Sequence, residues 1–313
     1  EAEGKGDGGN VHKGRVPIAV YVHDRPDLFA QVLVALKGVR GIERVPVLVI
    51  SMDSVSRRML ALAEAIRFAP VRIVFHPVRQ DMVSEEPVLA IKNHWWWLQV
   101  ALWRHVRETR EHTGSIALLE EDHLVTPDFL QVMGVLLRMQ DSDCPQCWGV
   151  CVRYGCGGKD DHLLDQKQKS VQPPGQDRLA KVCRIHAVIN TGIAFNRDTF
   201  ERIERSDFLD FMNGWDWSLF HLLQTLQLPD MMLAPSLSRI RNIGTAGATV
   251  SEADLQLHII SQLQYDAAPA NIKFDEDAFW IDTGEAMAYT PPCWEPLNLG
   301  LVEFVSKTPQ NYS

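Results

Sequence analysis

No run of about 18 or more apolar residues occurs anywhere in this chain, so nothing in it is expected to span a bilayer. Basic side chains are in deficit, with 31 Lys and Arg against 40 Asp and Glu and a formal charge of −9. That balance argues against nucleic acid as a partner and is compatible with neutral sugars or proteins. A nucleotide ligand on such a surface needs a local cation or basic groups beside it. There is no G-x-x-x-x-G-K-[ST], no G-x-G-x-x-G after the first apolar run and no G-x-S-x-G. These absences disfavour P-loop, classical dinucleotide and α/β-hydrolase readings. No internal repeat and no convincing linker divides the chain.

What is present is alternation. With 313 residues and 46% hydrophobic content, the chain can bury one large core. Apolar runs at 16–22, 45–50, 71–75 and 115–119 read as strands. Between them Leu28, Val32, Leu33 and Leu36 recur at helical spacing, and 56–67 and 92–107 also read as helices. This pattern predicts a mostly parallel sheet with helices on both faces. Further on, Thr126 and Pro127 predict a helix start, with Thr126 as N-cap and an end near Gln140. Residues 153–182, rich in Gly, Lys, Asp, Gln and Pro, read as a long surface loop. Residues 188–195 predict another strand, and 213–217 sit just before an amphipathic helix. The polar, Gly-rich opening (EAEGKGDGGN) reads as a tag or the end of a stem, so 1–15 are expected to be disordered and 16–313 to form a single α/β domain.

The most informative letters are Glu120-Glu121-Asp122-His123, at the end of the fourth apolar run. Ligands of open α/β sheets bind at the carboxyl ends of the strands. Adjacent carboxylates there repel one another unless a hard cation or hydrogen-bond donors sit among them. Mg²⁺ or Mn²⁺ suits such a place, holding one or two carboxylates together with phosphate oxygens. A second acid, Asp216, lies between Trp215 and Trp217. Partial desolvation by the two rings is expected to raise its proton affinity, which suits a general base; an acid at a helix N-terminus is the plainer alternative. Trp95, Trp96 and Trp97 cannot share one helix face, because each step rotates by about 100°. One of them is expected against the sheet and another elsewhere. Lys92 and His94 are candidates to approach phosphate, and Asn190-Thr191-Gly192 offers a backbone turn near a ligand. Six cysteines include the spacing Cys144-Pro145-Gln146-Cys147. Zinc is open there, although no second pair matches; an even, clustered set fits disulfides in an oxidising lumen better. The sequon at 311–313 carries little weight at the chain's end.

Taken in order, HDRP at 23–26, SMD at 51–53, KNHWWW at 92–97, EEDH at 120–123, PDF at 127–129, CPQC at 144–147, NTG at 190–192 and WDW at 215–217 form a specific set. Over roughly residues 16–250 the chain resembles the Golgi N-acetylglucosaminyltransferase II family, which is similar in turn to N-acetylglucosaminyltransferase I. The resemblance implies a GT-A fold, with 16–125 as a nucleotide-binding half and 126–313 as an acceptor-binding half. It implies UDP-GlcNAc as donor, Mn²⁺ as cofactor and inverting β-1,2 transfer to the α-1,6-arm mannose of an N-glycan. A relative acting on the α-1,3 arm or another mannosyl acceptor, or a weakly catalytic glycan-binding homologue, is the alternative. By position Asp216 would be the base and Asp122 the metal-binding acid, with Glu120 and Glu121 beside it. His23, Arg25 and Asp53 would surround the uridine, with Lys92 and Asn190 also on the donor, and Cys144 would bridge Cys147. The family is type II membrane-bound in the Golgi, so an N-terminal anchor is expected to have been trimmed. Two departures stand out. Asn242 takes the place of a metal-binding histidine, in Arg239-Ile240-Arg241-Asn242-Ile243-Gly244. The stretch before Lys92 is also shorter than in the animal enzymes and lacks a cysteine-bearing insertion.

Overall fold

The structure is a computed structural model that describes residues 15–54, 56–77, 85–153 and 181–245, together with two short strands at 280–281 and 287–288. Its first half alternates as the apolar runs predict. Strands β1 (Ile18–Val22), β2 (Leu48–Met52), β3 (Val71–Phe75) and β4 (Ile116–Glu120) pair in the order β3-β2-β1-β4, all parallel. β1 and β2 are buried along their whole length, because helices cover both faces of a parallel sheet. Successive side chains alternate between two cores. Ile18, Val20 and Val22 pack with Phe29, Val32 and Leu36 of α1 (Pro26–Lys37), with Met59 of α2 (Arg57–Glu64), and with Phe129, Val132 and Leu136 of α4 (Phe129–Asp143). Ala19 and Tyr21 face Trp95 and Leu98 of α3 (Pro87–Val100), Phe200 of α5 (Arg197–Glu204), and Trp215 and Leu219 of α6 (Trp215–Gln224).

The sheet continues past β4 through antiparallel β8 (Ile193–Phe195), then β6 (Gly149–Cys151), β9 (Met232–Pro235), β7 (Lys181–His186) and β11 (Trp280–Ile281), while β12 (Met287–Ala288) also pairs β7. Strands from both halves of the sequence therefore belong to one sheet. Its mostly parallel pairing with helices on both faces is the Rossmann-like, GT-A architecture expected from the sequence. No helix among the described residues is long and apolar enough to cross a membrane. Most of the predicted 153–182 loop, and residues 1–14, lie outside the described residues.

Several boundaries moved. Residues 123–125 are a strand, β5 (His123–Val125), antiparallel to β10 (Ile240–Asn242). That pairing holds the chain extended through Thr126, whose N–H donates to the Arg239 carbonyl. The helix therefore starts at Phe129 with Asp128 as N-cap, not Thr126, and runs on to Asp143. Thr126 Oγ1 instead donates to Asp128 Oδ1 (2.6 Å), and the Asp128 carboxylate is ion-paired with Arg239 (2.8 Å). The predicted 92–107 helix begins earlier, with Pro87 in its first turn, and ends in a wide π turn, Ala101–His105, closed by Val106 N–H on Ala101 O. Only 193–195 of the expected 188–195 strand is extended into the sheet. Trp215-Asp216-Trp217 opens its helix rather than preceding it.

Cys144 and Cys147 are joined to each other, at a Cα separation of 5.3 Å, so neither is a zinc ligand. Cys183 is disulfide-bonded as well. Cys151 is a buried free thiol whose pKa burial pushes up to about 12, far from a reactive thiolate.

Gly192 is a position where only glycine serves. Its φ is +67°, and a Cβ there would lie 2.7 Å from Val152 Cγ2 and 2.8 Å from Ile240 Cδ1. Gly192→Ala is expected to destabilise the fold by about 1–3 kcal/mol for the left-handed backbone alone. Urea denaturation of the two proteins measures this directly, and equal midpoints would contradict it.

Candidate active site

The carboxyl ends of β1, β2 and β3 hold a polar cluster around Asp53. His23 Nδ1 lies 2.7 Å from Asp53 Oδ1, and His94 Nδ1 lies 3.3 Å from Asp53 Oδ2. The other His94 nitrogen meets Ser51 Oγ at 2.8 Å. Burial opposes ionisation of Asp53, yet hydrogen bonds from His23 and His94 hold its pKa well below the usual carboxylate range. His76, directly after β3, stacks on His94 with ring centroids 5.0 Å apart. Burial and the neighbouring His94 lower its pKa to about 4, and its Nδ1 is buried without a hydrogen-bond partner. Neither Ser51, within the SMD motif, nor His76 is among the residues expected at the site. The strand-end rule that picks Glu120 to Asp122 also picks His76, which directly follows the third apolar run.

The acid cluster divides its labour. Glu121 is buried and turned toward the β1–α1 loop, where it accepts from the His23 backbone N–H (2.7 Å) and from Arg25 Nε. Arg25 Nη1 also reaches Asp122 Oδ2 at 2.8 Å, so one guanidinium bridges two adjacent carboxylates. Burial would lower the Arg25 pKa, but the Asp122 and Glu121 carboxylates hold it raised. Glu120, at the end of β4, has its pKa pushed up to about 8 by burial and by the Asp122 charge. Gly244 completes the wall. A Cβ on it would sit 2.4 Å from Asp122 Oδ2, 3.1 Å from Asn242 Oδ1 and 3.3 Å from Arg25 Nη1, so three polar groups converge on a residue without a side chain.

This donor set fits a hard divalent cation. Asp122 Oδ1 is buried and has no hydrogen-bond partner, the state of a carboxylate oxygen that a cation would satisfy. Among the described residues, Glu120, Asp122 and His123 bring ligand atoms within 4.8 Å of one another. His123 is the weakest of these. Its Nδ1 accepts from the Glu120 N–H at 3.0 Å, so in the neutral ring Nε2 carries the proton and offers no lone pair. Asn242 lies opposite His123 across the β5–β10 pair, and its Oδ1 already accepts from Gly244 N–H at 2.6 Å. A carbonyl oxygen keeps a second lone pair, so Asn242 stays a weak oxygen donor.

Asp216 is half-buried in the first turn of α6. Its Oδ1 accepts from Trp217 N–H (2.9 Å) and its Oδ2 from Asn190 Nδ2 (3.1 Å). Asn190 is itself oriented, because Thr191 Oγ1 donates to its Oδ1 (3.1 Å) and Arg153 Nη1 donates to Thr191 (3.3 Å). The structure thus sets Asn190 against Asp216. Burial chiefly, then the neighbouring acids and last the charge of Asp216, raise the pKa values of both Glu120 and Tyr21. Lys92 does not join them. It is buried, and its ammonium donates to the carbonyls of Phe208 and Phe211, both at 2.5 Å. Of the three tryptophans, Trp95 is fully buried and stacks on Trp215 (5.0 Å, 5°), Trp96 packs on Phe200 and Phe208, and Trp97 lies against His76.

Comparison with known proteins identifies the chain's family. The chain matches the family described as N-acetylglucosaminyltransferase II (MGAT2) over residues 4–87 and 83–268. Proteins named alpha-1,6-mannosyl-glycoprotein 2-beta-N-acetylglucosaminyltransferase are similar to it. The Arabidopsis thaliana protein is 24% identical over 67% of this chain and 53% of its own length, and the human protein 26% over 74% and 58%. The chain therefore spans between half and three-fifths of the length of these two relatives. Solved structures are more distant. A mannosyltransferase from Pyrobaculum calidifontis aligns at TM-score 0.44 and 14% identity, covering 94% of this chain and 70% of that one. S. aureus TarS 1-349 aligns at 0.43 and 11%, covering 72% and 60%. With the family model matched by two stretches that together run from residue 4 to residue 268, the chain belongs to the N-acetylglucosaminyltransferase II family.

Proposed function

We propose that the chain is an inverting transferase that moves GlcNAc from UDP-GlcNAc to the 2-hydroxyl of the α-1,6-arm mannose of N-glycans, in β-1,2 linkage. The observation that supports this reading is Asp122 Oδ1, buried without a hydrogen-bond partner beside Glu120 at the end of β4. A displacement with inversion needs a base on the acceptor side and charge neutralisation on the departing diphosphate. Here the Asp122 cluster follows β4 and Asp216 opens α6, so the two carboxylate sites are separate in sequence.

In this reading the mannose hydroxyl oxygen attacks the anomeric carbon and a new C–O bond forms as the bond to the diphosphate breaks. The hydroxyl proton passes to Asp216, and the bonding electron pair leaves with UDP. Asn190 Nδ2 and Trp217 N–H hydrogen-bond the two Asp216 oxygens, which aims the carboxylate. His23, Ser51, Asp53 and His94 form a preorganised hydrogen-bonding wall for the uridine end, and Arg25 holds Glu121 and Asp122 in place. Asp122 would hold a divalent cation, Mn²⁺ in this proposal, with Glu120 and Asn242 beside it. When bound, such a cation supplies Lewis-acid neutralisation of the diphosphate charge. The disulfides at Cys144–Cys147 and Cys183 support an oxidising lumen as the working compartment, in keeping with a Golgi enzyme anchored by a preceding segment.

The test is transfer. The protein is incubated with UDP-GlcNAc, Mn²⁺ and defined N-glycans ending in mannose on either arm, and the product linkage is read by NMR. A β-1,2-linked GlcNAc on the α-1,6 arm is expected. Product on the α-1,3 arm would reassign the acceptor. Asn242, in place of a histidine ligand, favours one further reading, a glycan-binding homologue; glycan binding without any transfer or donor hydrolysis would establish it.

A further inference from the structure

Lys92 offers no charge to the donor cleft, yet it is among the most constrained side chains of the molecule. Its relative exposure is 2%, and its ammonium lies 4.8 Å from the centroid of Phe208 while donating to the carbonyls of Phe208 and Phe211. Those carbonyls belong to the turn joining α5 to α6. The same turn is held from its other side. Asp207 accepts from Gln227 Nε2 (2.8 Å) and pairs with His221 Nε2 (3.0 Å), and Phe211 stacks on His221 at 4.5 Å. His221 is on α6 itself. Beyond the turn the chain passes through exposed Met212 and Asn213 to Gly214, where a Cβ would lie 2.9 Å from Asp216 Oδ1. Beneath this, Trp95, three residues along α3 from Lys92, stacks flat on Trp215, the residue before Asp216. One helical face of α3 thus grips the 208–211 turn through Lys92 and the start of α6 through Trp95. Met212 and Asn213 are the only links between the anchored turn and α6's first turn that this face leaves exposed.

We propose that Lys92 is a positioning residue, which fixes the 208–214 segment and thereby the aim of Asp216, a role that rests on Asp216 being the base. A carboxylate misplaced by about 1 Å loses on the order of 10²-fold in rate. The effect is expected on the chemical step, because the Lys92 ammonium is held by Phe208 and Phe211 whereas the donor-side contacts of α3 run through His94 to Ser51 and Asp53.

The experiment compares Lys92→Met, Asp216→Asn and the double variant in the whole chain, reading GlcNAc transfer and, separately, the affinity for UDP with Mn²⁺ by calorimetry. Lys92→Met is expected to lower kcat at least tenfold while UDP affinity stays within twofold of wild type. In the Asp216→Asn background the same substitution is expected to cost less than twofold, since a residue acting through Asp216 has nothing left to position. A tenfold loss of UDP affinity would return Lys92 to the phosphates and overturn the proposal, as would a kcat within twofold of wild type or losses that multiply in the double variant. If Lys92→Met does not fold, His221→Leu, which frees the same turn from the α6 side, carries the same expectations and the same refutations. Unchanged turnover in Asp216→Asn alone would instead refute the assignment of the base.

Discussion

Asp216→Asn is expected to lower turnover by about 10²–10⁴-fold, the contribution of a positioned general base. The substitution keeps the shape of the side chain and removes the proton acceptor. Asn190 Nδ2 and Trp217 N–H donate to the carboxylate, and an amide oxygen accepts one of these bonds as well. The fold should therefore persist, with UDP affinity near that of wild type, and the loss should appear in kcat. Because Asp216 is a first-turn helix residue, its plain structural alternative is satisfaction of the free amides there. The two readings separate cleanly. A capping role alone predicts a lowered thermal midpoint and turnover within tenfold of wild type.

The second large effect is expected from Asp122→Ala, measured as UDP affinity with and without Mn²⁺. Residues that merely orient metal ligands cost about 10–100-fold in affinity or activity when changed, so loss of the principal ligand should exceed that range. The Asp122 carboxylate has one oxygen on Arg25 and one buried without a partner, and the alanine removes both. Arg25 retains Glu121, so the loop after β1 keeps its anchor. Mn²⁺-dependent tightening of UDP should be abolished while the metal-independent affinity survives. Undiminished Mn²⁺ dependence would move the cation to other ligands. Glu120 is the neighbour to test next, since burial and Asp122 already raise its pKa to about 8, and removing Asp122 relieves the second of those causes.

Much of this site was legible because it follows two local rules. The apolar runs that became β1, β2 and β4 are buried central strands, and in a parallel sheet the residues after such strands face the ligand. That rule picks Glu120 to Asp122; His23 and Asp53 are implied by the family resemblance and lie just beyond β1 and β2. The helix predicted from Thr126 failed because β10, more than a hundred residues later, pairs with 123–125 and holds Thr126 extended. Tertiary pairing overrode a good local capping signal.

Lys92 shows the same limit at the level of a side chain. A lysine beside a histidine and three tryptophans invites a phosphate, but its two acceptors are carbonyls 116 and 119 residues away. The Arg25–Glu121 pair spans 96 residues, and the Asn190–Asp216 contact spans 26. The sequence by itself determined the alternating α/β class, the strand ends that carry the acids, and the ordered motifs of the family. Hydrophobic periodicity and strand-end chemistry are local, so they survive in a one-dimensional reading. Only the tertiary structure decided which carboxylate oxygen is left without a partner, which histidine has its lone pair occupied, and that Lys92 grips a turn instead of a ligand. Those outcomes depend on hydrogen bonds between segments distant along the chain, and burial makes each donor find its acceptor within the protein.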